Sequence, residues 1–141
     1  MPARKATARW EGDQKGRGTM SFGSGAFDGQ YSFSSRFEEG TGTNPEELIS
    51  AAHAGCFSMA FAFALADAGH EAESVDTQAT VHIDRQGDGF AITRSELVTR
   101  ARVPGIDESQ FQEIAQAAKE GCPVSKALGG VEITVDATLE S

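Results

Sequence analysis

Basic residues are scarce in this sequence: 12 Lys and Arg stand against 21 Asp and Glu, leaving a net charge of −9 and a pI near 4.7. A surface of that sign repels a phosphate backbone, so no nucleic-acid partner is expected and the acidity reads as a solvated surface. Cysteine is nearly absent as well. Cys56 and Cys122 are the only two, too few for the disulfide framework of a small secreted domain, and they offer no CxxC pair for a zinc site. Long hydrophobic runs are missing: the longest, Ala54 to Ala66, is interrupted by Ser58 and ended by Asp67, too short to span a bilayer, so no membrane partner is expected. Basic residues open the chain in Met1-Pro-Ala-Arg-Lys-Ala-Thr-Ala-Arg9, but no apolar stretch follows. The expectation is therefore no secretory signal and a cytoplasmic location, where thiols are kept reduced. With no linker, low-complexity segment or internal repeat, the 141 residues (14.9 kDa) read as a single domain, 1–141, large enough for a core of its own.

What is present is punctuated by glycine. Ala6–Glu11, Gly18–Phe22 and Gln30–Phe37 read as strands, with turns at Gly12-Asp13, Gly23-Ser24-Gly25 and Asp28-Gly29. A strong helix start follows: Asn44 as N-cap, Pro45 at the first helical position and Glu47 completing a capping-box pattern. That helix should run to about Ala68 and stop at Gly69. Its interior, including Ala51, Ala52, Ala54, Cys56, Met59, Phe61, Phe63 and Leu65, is apolar or small nearly all round, so it must be covered on several sides. One small domain can hardly do that alone, and an intertwined homodimer is the expected solution. Val75–Arg85 and Phe90–Val103 read as a hairpin about Gln86-Gly-Asp-Gly89, followed by a helix capped by Asp107 and stopped at Gly121, a short helix from Pro123 to about Leu128, and a last strand, Val131–Leu139. The class is α+β, antiparallel sheets around a long buried central helix.

Two thiols invite redox chemistry. Cys122 precedes a proline placed at the first position of a helix, and the helix N-terminal dipole there favours thiolate. Cys56 falls mid-helix in apolar surroundings, which raise a thiol pKa. Local rules thus rank Cys122 as the nucleophile and Cys56 as a core thiol, and an isolated buried cysteine more often packs than reacts. Cys56 becomes reactive only beside a cation. Arg36, at the end of its strand, is one candidate, whereas Arg4, Arg9, Arg17, Arg85, Arg94, Arg100 and Arg102 look like surface charges. Glu46, in the first helical turn, is free to orient an arginine, or simply sits favourably at the helix dipole. His53, three residues before Cys56, shares its helix face and could pair with it, though packing or hydrogen bonding is the commoner use. His70 and His82 complete no metal-ligand spacing with the cysteines.

The stretch Asn44-Pro-Glu-Glu-Leu-Ile-Ser-Ala-Ala-His-Ala-Gly-Cys56-Phe-Ser-Met, with Val103-Pro-Gly-Ile-Asp and Gly121-Cys-Pro-Val-Ser, resembles the osmotically inducible protein C family, which includes the organic hydroperoxide resistance proteins. Trp10-Glu-Gly-Asp and the segment from Arg36-Phe-Glu to Gly42-Thr-Asn-Pro-Glu resemble its osmotically inducible branch. The resemblance covers almost the whole chain. It implies a thiol peroxidase that reduces organic hydroperoxides, and more weakly hydrogen peroxide, without metal or flavin cofactor, as an intertwined homodimer with sites at the subunit interface. Carried over by motif, Cys56 is the peroxidatic thiol and Cys122 the resolving one, Arg36 holds the Cys56 thiolate and polarises the peroxide, and Glu46 orients Arg36. Here the resemblance overrules the local ranking of the two thiols. It further implies recycling of a Cys56–Cys122 disulfide by an external dithiol, a lipoyl-bearing protein being one such reductant.

Gly55 departs from the pattern where alanine is commoner, at a cost of about 1 kcal/mol in a helix interior. Phe27, Phe37, Phe57 and Phe61 could shape an apolar pocket for alkyl or lipid hydroperoxides, or simply pack. Two other readings stand beside the peroxidase: a non-catalytic redox sensor switched by the same disulfide, and a binding module with incidental cysteines. The joint presence of Arg36, Glu46, Cys56 and Cys122 favours the peroxidase, and the missing basic surface disfavours a transcriptional sensor.

Overall fold

The computed structural model describes residues 1–140 of the 141. The chain divides into two compact units, Met1–Leu48 and Ile49–Ser141. The first holds an antiparallel sheet of β1 (Ala6–Glu11), β2 (Arg17–Phe22) and β3 (Asp28–Tyr31), in that order. Trp10 of β1 lies against Tyr31 of β3, ring centroids 5.4 Å apart.

The expected third strand ends early. After Tyr31 the chain turns into a short helix, α1 (Phe33–Phe37), so Arg36 stands on a helix and not at a strand end. The cause is a serine capping box: Ser35 N–H donates to Ser32 Oγ (3.1 Å) and Ser32 N–H to Ser35 Oγ (2.8 Å). Alternating Ser and Phe satisfies a strand pattern equally well, but local side-chain bonds offer the backbone a turn instead.

Helix α2 (Pro45–Asp67) begins where expected, with the Glu47 N–H donating to Asn44 Oδ1 (2.8 Å). The Glu47 carboxylate takes the Thr43 hydroxyl (2.7 Å). Its end is a glycine stop: Gly69 has φ +89°, and His70 N–H reaches back to Leu65 O (2.9 Å). Twenty-three residues with one apolar window of mean hydropathy 1.7 make α2, by length and composition, long enough to cross a membrane; the short apolar run counted in the sequence understates it. The expected all-round burial is not found within one chain. His53, Phe57, Phe61 and Leu65, four residues apart, form a buried stripe, while Gly55, Met59 and Phe63 lie exposed. A two-residue offset is about 200° on a helix, so the two stripes face opposite ways.

In the second unit, β4 (Ser74–Gln86) and β5 (Gly89–Arg102) form the expected hairpin, closed by Gly87-Asp88, with a register shift between His82 and Ile83. Then come α3 (Glu108–Gly121), capped by Asp107, α4 (Pro123–Ala127) and β6 (Glu132–Glu140). The last strand corrects the expectation of wholly antiparallel sheets: β6 runs parallel to β5, from Arg94↔Glu132 to Arg102↔Glu140. Two intervening helices carry the chain back to the strand's starting end, which is what a parallel pairing requires. The α+β class holds. The core of this unit joins Phe57, Phe61 and Leu65 of α2 to Leu97 and Ala101 of β5 and Phe111, Ala115 and Ala118 of α3. Phe61 sits between Phe57 (5.5 Å) and Phe111 (5.3 Å), and both Phe57 and Phe61 are fully buried packing residues.

Candidate active site

The expected site residues fall in two constellations, one in each unit. In the first, α1 is lashed to the start of α2. The Ser35 hydroxyl donates to Thr43 O (2.8 Å), and Asn44 Nδ2 donates to Ser35 O (2.9 Å). Gly42, at φ +117°, makes the bend between them; a Cβ there would meet Gln30 O at 2.6 Å. Arg36, next to Ser35, and Glu46, two residues after Asn44, consequently meet. Arg36 Nε donates to Glu46 Oε1 at 2.9 Å and its NH2 group to Oε2 at 3.2 Å, a two-point fork on a buried carboxylate. Such a fork fixes the plane of the guanidinium as well as its position. Arg36 also lies over the Phe37 ring (5.3 Å). Together with Trp10, Tyr31, Phe33 and Phe37 it lines an open cavity of about 410 Å³.

In the second unit the two thiols meet. Cys56, on the fourth turn of α2, and Cys122, at the junction of α3 and α4, are both reduced, with sulfurs sharing a hydrogen bond of 2.9 Å. The buried aromatic stripe of α2 packed on α3 sets this approach. Burial pushes the Cys56 thiol up, and its hydrogen bond to Cys122 pushes it further. Burial also acts upward on Cys122, but there hydrogen bonds outweigh it and hold the thiol below its ordinary value. They come from Cys56, from the Ser125 N–H and hydroxyl, and from the Val124 N–H. No side chain closes an ideal cap at this helix start, yet these groups favour the charged sulfur. Within this unit Cys122 is the more acidic thiol, as the local sequence rules expect.

His53 is fully buried, with Nδ1 2.7 Å from Ser95 Oγ and Nε2 2.8 Å from Ser125 Oγ. Both ring nitrogens are engaged by serines, so the direct pair with Cys56 does not form and the hydrogen-bonding reading is the correct one. Ser95 and Ser125 are site residues that sequence reasoning passed over. Ser125 stands in the Cys-Pro-Val-Ser run, three residues after Cys122, but only the structure joins it to His53. Among the described residues no cluster of three His, Cys, Asp or Glu could hold a metal ion.

Residues 38–136 match the family model described as OsmC-like protein. Over 140 residues the sequence is 52% identical to peroxiredoxin OsmC of Escherichia coli (strain K12), covering 98% of this chain and 97% of that protein. The chain belongs to the OsmC-like family. A more distant member, the organic hydroperoxide resistance protein OhrB of Bacillus subtilis (strain 168), is 36% identical over 101 residues, 71% of this chain and 70% of OhrB. The crystal structure of the Bacillus subtilis OhrB superimposes with a TM-score of 0.67 at 27% identity, over 98% of both chains. The OsmC-like match spans both thiol-bearing segments and Glu46, and begins two residues after Arg36.

Proposed function

We propose that this protein, a cysteine-based peroxidase by its kinship with peroxiredoxin OsmC, reduces organic hydroperoxides, and more weakly hydrogen peroxide, through a Cys56 sulfenic acid. The Cys56 thiolate takes the distal oxygen of the hydroperoxide. The O–O bond breaks, and the alkoxide leaves and collects a proton as the alcohol. Arg36 holds the thiolate and polarises the peroxide, and Glu46 keeps the guanidinium aimed. Cys122 then condenses with the sulfenic acid to a disulfide and water, before further oxidation can occur. An external dithiol, such as a lipoyl-bearing protein, returns both thiols in two exchange steps.

The observation that carries this reading is the 2.9 Å approach of the two reduced sulfurs: a sulfenic acid formed on one is already beside its resolving partner. Kinship with organic hydroperoxide resistance proteins supports the substrate class, and the aromatic cavity next to Arg36 suits an alkyl chain. On this reading residues 1–141 work as one peroxidase domain in the cytoplasm, and a second copy of the chain covers the outer face of α2.

The test is turnover of cumene hydroperoxide and of hydrogen peroxide with dithiothreitol or dihydrolipoamide. Cys56→Ser should abolish turnover, and Cys122→Ser should accumulate Cys56 sulfenic and higher acids. Arg36→Ala should raise the Cys56 pKa and slow the first step. Reversible disulfide formation without turnover on any dithiol would point to a redox sensor instead. Protection of Cys56 in Cys122→Ser would reverse the roles of the thiols.

A further inference from the structure

Cys122 is joined to a polar chain that the peroxidase cycle above does not use. It runs from β5 through α2 to α4: Ser95 Oγ to His53 Nδ1 (2.7 Å) and His53 Nε2 to Ser125 Oγ (2.8 Å), with Ser125 in the first turn of the helix that Cys122 opens, where its hydroxyl favours the anionic form of that sulfur. Ser95, His53 and Cys122 are fully buried, Ser125 nearly so. A buried polar chain is retained at a cost unless its groups are satisfied, and among the described residues no buried side-chain nitrogen or oxygen lacks a partner.

The hydrogens of this chain can be assigned. Burial holds the His53 pKa below its ordinary value, so the ring is neutral and carries a single N–H. Each serine has one hydrogen to give. For Ser125 to point its hydrogen at an anionic sulfur, its oxygen must accept from His53 Nε2–H. Nδ1 is then the acceptor, and Ser95 donates to it. One tautomer satisfies all three links, and it ends on the sulfur with a donor.

We propose that His53, acting through Ser125 and held by Ser95, is the positioning residue of the resolving step: it orients the Ser125 hydroxyl onto Cys122 and keeps that sulfur ready to attack the Cys56 sulfenic acid. The step balances without a further reagent. The Cys122 S–H and Cys56 S–O bonds break, the S–S bond forms, and the thiol proton ends on the departing hydroxide as water. The Cys122 sulfur is oxidised and the Cys56 sulfur reduced by the same electron pair. The Ser125–His53 chain donates no net proton. It lowers the cost of the anionic Cys122 while the sulfenic acid is waiting.

This inference rests on the peroxidase reading, and a single-turnover experiment separates the two. Reduced protein is mixed with one equivalent of cumene hydroperoxide, and sulfenic acid and disulfide are followed by quenching and intact mass. In Ser125→Ala the second step should slow roughly ten- to hundredfold more than the first, the rate equivalent of a lost hydrogen bond to a charged group. Cys56 sulfinic acid should then accumulate under excess peroxide. Ser125→Thr, which keeps the hydroxyl, and His53→Gln, whose amide can hold both serines, should retain the second step, while His53→Leu should lose it with Ser125→Ala. Equal slowing of both steps in Ser125→Ala would mark a merely structural serine, and an unchanged second step would mark an idle one; either overturns the proposal and leaves the peroxidase reading intact. If the unsubstituted protein forms no sulfenic acid, the peroxidase reading fails and the inference with it.

Discussion

A neutral imidazole held between two buried hydroxyls makes His53 sensitive to protons. Its folded pKa lies below the ordinary 6.5 because burial disfavours the charged ring. As pH falls through 6.5 the unfolded chain takes up a proton that the folded one refuses, so stability is fully present above that value and is lost below it. The slope approaches about 1.4 kcal/mol per pH unit for one proton. His53→Gln has no such group. Urea midpoints measured from pH 7.5 down to 5.5 should therefore fall more steeply for the unsubstituted protein than for His53→Gln, carboxylates contributing equally to both. Parallel curves would mean that His53 is charged in the folded state. At this scale the sequence is informative where chemistry is local: Pro123 after Cys122 already marks a helix start that acidifies a thiol. The partner of His53 is not legible, because Ser95 lies 42 residues away and Ser125 lies 72. Cys56 is the harder case. Its immediate surroundings argue against reactivity, and only the carried-over role of Arg36 reverses that.

Elements were legible in proportion to the length of their pattern. The strong cap at Asn44 and the stop at Gly69 bracket α2, and the hairpin about Gly87-Asp88 follows from alternation on both sides of a turn. Helix α1 escapes because five residues are too few to show a helical period, and Ser35 is the residue that decides it. That serine accepts the Ser32 N–H and donates to Thr43 O, so it both caps α1 and ties it to the chain before α2. Ser35→Ala removes both bonds and should cost about 1–3 kcal/mol, a lost cap and a buried carbonyl left unpaired. The consequence should reach Arg36, whose fork onto Glu46 depends on where α1 lies. Peroxidase kcat/KM should fall while Cys56 and Cys122 still oxidise to a disulfide with diamide. An unchanged kcat/KM at reduced stability would show that the Arg36–Glu46 fork places itself without α1. The parallel return of β6 was the other element-scale surprise; alternation in a strand reveals its faces but not its direction.

Across the whole molecule, one surface asks for a partner. α2 turns His53, Phe57, Phe61 and Leu65 inward, and on its opposite side Met59 is 60% exposed and Phe63 63%, one helical turn apart and flanked by Gly55. A Cβ on Gly55 would meet nothing within 4 Å, so within one chain nothing explains a glycine that costs about 1 kcal/mol there. Small residues on a helix face allow a second backbone to come close, and exposed large apolar ones give it surface to bury. A second copy of the same helix supplies both, since a two-fold contact sets the same patch against itself. The alternative cover, a bilayer, is a poorer match for a helix whose other face is packed in a protein core and whose ends carry Glu46, Glu47 and Asp67. Replacing Met59 and Phe63 together by glutamate places two charges on the patch without touching the buried stripe. Sedimentation velocity should give a dimer for the unsubstituted chain and a monomer for the double variant, with far-ultraviolet circular dichroism preserved. If the sites lie at the interface between copies, as the family resemblance implies, peroxidase turnover should fall with the dimer. A monomeric unsubstituted protein would remove the second copy as the cover of α2, and a double variant that stays dimeric would move the interface to another face.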